Sequence, residues 1–325
     1  MQLPPAFSQY VATLSPATKA QPQIHACVLL WGFTAILGKL ITLDALALVW
    51  WRMLFVICAL ALVPRAWRGL RRLRPRLLAA YAGIGVLVAL HWLTFYGSIK
   101  LANASVGATC IALATPFTAL VEPKLAGRTF SLRELLLGIM VLPGVALVVG
   151  GVPGSMRLGI AVGALSALFV ALFGSLNKRF VEHADPLSVT GLELGAGVAA
   201  LTLLTPALPY VFPVLAGDPF ALPGQRDVAL LLLLALACTL LPFSLALVAL
   251  RHMSAFAAQL ATNLEPVYAI VLAAILLGEQ HELTPTFYAG AAIILGAVFV
   301  HPLLHRPAPI AHPEVLGTSE AHHAD

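Results

Sequence analysis

The chain has 325 residues, of which 60% are hydrophobic and 10% charged, with a formal net charge of +5 at pH 7 and a mean hydropathy of +0.93. That composition lies far outside the soluble range and makes a lipid bilayer the main solvent. It excludes a large soluble α/β protein, whose loops and outer faces would need far more charge, and a nucleic-acid-binding module, since no basic patch is interleaved with aromatic residues.

Residues 1–23 are mixed, proline-containing and barely charged, and read as a retained N-terminal tail rather than a cleaved signal peptide. Ten apolar stretches follow, at 24–41, 45–63, 77–99, 104–126, 134–152, 158–176, 187–208, 228–250, 254–278 and 284–304. Each is close to the roughly 20 residues with which a helix crosses about 30 Å of hydrocarbon. The expectation is an all-α polytopic membrane protein of ten transmembrane helices with a C-terminal tail at 305–325. His322–His323 in that tail is too sparse to specify a metal site, and the isolated cysteines Cys27, Cys58, Cys110 and Cys238 form no disulfide framework.

The connection after the second stretch carries Arg65, Arg68, Arg71, Arg72, Arg74 and Arg76 without an acidic residue, which assigns it to the cytoplasm. Lys124, Arg128, Arg133, Lys178, Arg179, Arg251 and Arg306 then fall on the same side. Lys39, Lys100, Arg157 and Arg226 fall on the other. Both termini are expected to be cytoplasmic.

The two halves echo one another. Trp31-Gly32 has its counterpart in Phe173-Gly174, and Thr115-Pro116 lies 150 positions before Glu265-Pro266. Residues 24–152 and 158–304 therefore read as two repeats of five helices each. Five is odd, so the second repeat enters the membrane from the opposite side, the inverted arrangement that builds transporters around a midplane site.

Leu30-Trp31-Gly32-Phe33, the segment from Phe95 to Asn103, Leu264-Glu265-Pro266-Val267 and Leu277-Gly278-Glu279 together resemble the drug/metabolite transporter superfamily, specifically its EamA-type ten-helix members. The resemblance spans roughly residues 26–304. It implies two inverted EamA repeats in a bacterial cytoplasmic membrane and export of amino acids, metabolites or toxic small molecules, often linked to an ion or proton gradient. One departure stands out: where the first repeat would end in Gly-Glu, the chain reads Gly127-Arg128, so a symmetric pair of glutamate gates does not follow.

A charge at the centre of a membrane helix costs about 2.5–3.5 kcal/mol on insertion scales, so intramembrane charges point to a cavity or a partner. Arg52 and Glu193, 141 residues apart at corresponding places, are the leading candidates, and could hold opposite ends of a zwitterionic substrate or serve as a gate. On the third stretch Trp92, Tyr96 and Lys100 recur every four residues beside His91, with Lys100 expected to snorkel at the membrane edge. Glu265-Pro266 lies deep in the ninth stretch, with Asn263 and Gln259 nearby, whereas Glu122-Pro123 sits close to the cytoplasmic end of the fourth, within easier reach of water. Substrate or gating residues are thus expected among Arg52, His91, Trp92, Tyr96, Glu193, Asn263 and Glu265, with His91 and Glu265 as candidates for proton coupling. Asn177 and Lys178 read as a helix cap and a topology signal. The glycine stripes Gly159–Gly163–Ala167 and Gly191–Gly195–Ala199 suit helix packing or a homodimer.

The expected activity is alternating-access secondary transport of amino acids or related small polar metabolites, with membrane lipids as surroundings. No metal, cofactor or nucleic acid is expected. Neither an HExxH zinc motif nor a phosphate-binding GxxxxGK[ST] stands in the chain, so a membrane enzyme and direct use of ATP are disfavoured. A lipid-linked solute translocase and a noncatalytic membrane scaffold or sensor remain as alternatives.

Overall fold

The computed structural model describes residues 16–281 and 283–304. Residues 1–15 and the tail at 305–325, with His322–His323, lie outside the described residues. The labelled helices in chain order are α1 (Pro16–Leu40), α2 (Ala45–Ala61), α3 (Pro64–Leu70), α4 (Pro75–Leu101), α5 (Ala104–Ala126), α6 (Leu132–Gly150), α7 (Gly154–His183), α8 (Pro186–Leu204), α9 (Gln225–Leu250), α10 (Ala255–Leu277) and α11 (Pro285–Leu304). No strand occurs among the described residues.

Among the described residues eight helices are long and apolar enough to cross a membrane: α1, α4, α5, α6, α7, α8, α9 and α10. Two of the ten expected stretches fall outside this set. The stretch at 45–63 forms the 17-residue α2, and the chain then bends by 95° into α3. Val63 is extended ahead of Pro64, as a residue before proline prefers, and Pro64 opens the new helix at its first position. The stretch at 284–304 is the helix α11, in which the described apolar part runs over Pro285–Gly296. At the other end of the chain α1 starts at Pro16 rather than 24, so part of the expected tail is helical, with Pro22 inside it.

The packing repeats itself across the halves. α4 lies along α7, and its counterpart α9 lies along α1. α5 packs on α7, as α10 packs on α1, while α2 meets α8, α5 meets α10 and α6 meets α11. Each contact maps onto another, or onto itself, when the halves are exchanged. The first glycine stripe serves this packing: a Cβ on Gly159 would come within 2.8 Å of Ala102, and one on Gly163 within 2.7 Å of Cys110. The second stripe is looser, since a Cβ on Gly195 would meet nothing within 4 Å.

The basic connections gather at one end. Arg65 pairs with Asp185 at 2.6 Å, Arg251 donates to the carbonyls of Val181 and Ala184, Lys178 to that of Leu250 and Arg179 to that of Leu125. At the opposite end Asp227 accepts from the Thr42 amide and hydroxyl, and Thr284 donates to the Gly151 carbonyl. Lys100, half-buried at the last turn of α4, donates to the Ile41 carbonyl in the α1–α2 turn.

Candidate functional site

A cavity of about 120 Å³ runs from Asn177, Leu250 and Ala255, beside the basic end, inward to Arg52, Trp92 and Glu265. Trp31, Phe95, Phe173 and Phe243 give it an aromatic wall.

Arg52 is 2% exposed and closes the inner end. Its Nε donates to Thr239 Oγ1 at 2.5 Å, its Nη1 to Tyr96 Oη at 2.8 Å and its Nη2 to the Cys238 carbonyl at 3.5 Å. The guanidinium lies 3.9 Å over the Trp92 ring, a cation–π contact that gains strength away from water. Local sequence builds this cradle. Pro242 has no N–H for the carbonyl four residues back, so α9 widens into a π turn at Leu236–Leu240 and leaves the Cys238 carbonyl for Arg52. Thr239 in the same turn donates to the Leu234 carbonyl and offers its oxygen to Arg52. Thr239 and Cys238 were missed in the sequence. Pro242 inside an uncharged stretch was the available signal.

Glu265 is 6% exposed, faces the same cavity and has no ion-pair partner among the described residues. It stands just after a break. α10 consists of Ala255–Thr262 and Glu265–Leu277, joined through a turn at Asn263–Leu264, and α5 is interrupted likewise at Ile111–Leu113, ahead of Thr115-Pro116. Broken helices at membrane depth belong where they line a cavity or are buried in protein. Thr115 donates to Asn263 Oδ1 at 3.0 Å, tying the two breaks together, and Asn263 is fully buried there, away from the cavity lining.

The other expected residues are divided. His91 and Trp92 line the cavity, whereas Tyr96 is buried behind Arg52. His91 Nδ1 meets Ser166 Oγ at 2.8 Å, and its ring stands near Phe95 and Phe173. Glu193 is fully buried and does not line the cavity; its carboxylate meets Asn177 Nδ2 at 3.4 Å. Arg52 and Glu193 therefore do not face one another across a substrate. Asn177 is more than a helix cap, since it is 2% exposed and stands between the cavity and Glu193. Gln259 joins the lining with an unpartnered Nε2.

Glu122 was expected near water, and the structure corrects this. It is fully buried and accepts hydrogen bonds from the Ala255 and Phe256 amides, both at 2.8 Å, at the start of α10. Arg128 steadies it at 3.0 Å and also pairs with Glu134 at 3.0 Å. Burial opposes the charge on Arg128, but its bond to Glu134 and the two nearby carboxylates hold the guanidinium above the ordinary arginine range. At the other end Glu279 accepts from the Ala104 and Ser105 amides, both at 3.0 Å, and from Ser105 Oγ at 2.7 Å, at the start of α5. Each carboxylate thus caps the partner helix, which requires α5 and α10 to run antiparallel.

The EamA-like transporter family model matches twice, over residues 23–150 and 157–301. The chain belongs to the EamA-like transporter family. Membership makes it a multi-pass membrane transporter and accounts for the exchange symmetry of its packing, since each match holds one set of corresponding helices. No curated protein matches it. Among solved structures 22 chains match. One, a protein crystal structure, shares 17% identity over 88% of this chain and 97% of its own, with a TM-score of 0.63, which establishes a common fold alone.

Proposed function

We propose that this EamA-like protein exports small zwitterionic metabolites, amino acids foremost, by alternating access. In this reading ten spans form two inverted repeats, 24–152 and 158–304, in a bacterial cytoplasmic membrane, with the basic end and both termini inside. The cavity beside the basic end is then the cytoplasm-facing half of the route.

The observation that carries the substrate class is the pairing of Arg52 and Glu265 on one cavity. A guanidinium has five N–H donors, and three of those on Arg52 have the partners named above, which leaves others for a substrate carboxylate. Glu265 answers an ammonium group, and Gln259 Nε2 supplies a neutral donor. The aromatic wall accepts an apolar side chain. The energy source is an ion gradient, and carboxyl groups inside the protein are its natural receivers.

Proteoliposomes loaded with isotope-labelled amino acids test the reading. Efflux should exceed that of empty liposomes, and competition should weaken sharply when the competitor is amidated at the carboxylate or acetylated at the amine. Arg52→Gln and Glu265→Gln, matched for folding and orientation, should each lower efflux by about tenfold or more, the loss expected when one charged contact is removed. Equal competition by all three compounds would rule out a zwitterion site. Labelling of cysteines introduced at 65–76 from the periplasmic side would reverse the orientation.

A further inference from the structure

Among the described residues Glu193 is the one fully buried carboxyl group whose role the substrate site and the helix clamps leave unexplained. On α8, its Oε2 has a single contact, 3.4 Å from Asn177 Nδ2, and its Oε1 has none; Asn177 Oδ1 is unpartnered too. Glu122, equally buried, has two amides and an arginine.

Among the described residues no cation of the surrounding helices pairs with Glu193. From α4, Tyr81 is the titratable group that faces it, and its hydroxyl donates to the Phe180 carbonyl, while the Gly85 backbone lies against that of Glu193 itself. His91, further along α4, is held by Ser166. On α2, Arg52 bonds Thr239 and Tyr96 and lines the cavity, which Glu193 does not. Lys178 and Arg179 of α7 donate to the Leu250 and Leu125 carbonyls, Arg65 of α3 pairs with Asp185, and Arg251, at the end of α9, holds Val181 and Ala184. From α9 itself Ser244 bonds Thr190, close to one helical turn before Glu193.

An ionised carboxylate here lacks both a counter-charge and the hydrogen bonds that make a buried charge tolerable. A carboxylic acid suits the site. Its O–H can donate to Asn177 Oδ1 while Asn177 Nδ2 donates back, so that the acid and amide satisfy two orphaned oxygens together. Asn177 also lines the cavity, which gives the proton a path.

We propose that Glu193 and Asn177 form a proton-binding site, in which Glu193 is a neutral acid while the cavity is open and exchanges its proton with cavity water past Asn177. On release the Glu193 O–H bond breaks, the proton passes to a water molecule as hydronium, and the carboxylate left behind keeps the Asn177 amide donor. The coupling of that proton to solute movement rests on the transport reading above, whereas the site itself does not.

Infrared difference spectroscopy of the purified protein therefore needs no substrate. At neutral pH the wild-type carboxylic acid C=O absorption should contain a component that is lost in Glu193→Gln and kept in Glu265→Gln. The same component should move in frequency in Asn177→Ala, which retains the acid and decides the matter if Glu193→Gln does not fold. An unchanged spectrum in Glu193→Gln, or in Asn177→Ala, overturns the site.

In proteoliposomes with an isotope-labelled mixture of the common amino acids, Glu193→Gln should keep exchange at equal pH and lose accumulation driven by a pH gradient. Asn177→Asp should move the pH profile of driven transport by about one unit or more, since it sets a second carboxyl beside the first. Loss of exchange and driven transport together, or an unmoved profile, overturns the coupling role. If the wild type moves no solute while the infrared component is present, the transport reading fails and the proton site stands.

Discussion

The two ends of the α5–α10 pair do the same work with different residues. Gly127 and Gly278 both end their helices in the left-handed conformation, each at φ 72°, a turn that favours glycine. The residue after Gly278 is Glu279, which reaches the start of α5; the residue after Gly127 is Arg128, which cannot accept a hydrogen bond. Glu122, one and a half turns earlier, takes over the capping, and Arg128 turns back to hold it. The structural requirement is therefore a carboxylate on two helix-start amides, and the position from which it comes is free to move. Both ends of the pair are thus pinned at once, each helix start held by a carboxylate of the other helix.

The largest break in this comparison is expected from Glu279→Gln. An amide keeps one acceptor oxygen and turns an NH2 group toward a backbone N–H, so stability should fall by about 3 kcal/mol, the scale of one or two charge-assisted hydrogen bonds. Denaturant unfolding in detergent measures it. Glu122→Gln should cost less, about 2 kcal/mol, because Arg128 keeps Glu134 and is 34% exposed to solvent.

A rescue sharpens the point. Arg128→Glu combined with Glu122→Ala recreates the arrangement of the other end, and should be more stable than Glu122→Ala alone by about 1 kcal/mol, Glu134 opposing a larger gain. A double variant no better than the single one would mean that the two glycine turns aim their next residues differently. Smallest is Ser105→Ala, which removes one hydroxyl bond to Glu279 and should cost about 1 kcal/mol. A Ser105→Ala effect equal to that of Glu279→Gln would show that the backbone amides contribute nothing to the clamp.

The legibility of these features follows their physics. Apolar length and arginine placement report solvent and side, so the helical membrane class and the gathering of basic connections at one end could be read directly. Arg52 and Glu265 were legible because a charge in hydrocarbon demands an explanation. Glu122 was misread because distance from a helix end along the chain says nothing about what another helix lays over it. Asn177 was taken for a cap for the same reason: its partner lies 16 residues away on the next helix, and no periodicity links the two. The matching distance of Arg52 and Glu193 from their helix starts marked equivalent positions in the two repeats, yet equivalence placed them in different surroundings. Arg52 received a π turn and two rings, whereas Glu193 received one amide.

Gly32 and Gly174, the glycines of the two Trp-Gly-like pairs, differ in clearance. A Cβ on Gly32 would strike Tyr268 Cβ at 2.6 Å, whereas one on Gly174 would meet nothing within 4 Å, and Thr118, 150 positions before Tyr268, stands on the same cavity. One close approach is shut while its twin stands open, and in the alternating-access reading proposed above the space at Gly174 closes when the halves exchange roles. A methyl group there fits the state seen and obstructs the return: Gly174→Ala should leave binding from the basic end intact and slow turnover, like a wedge left in a hinge.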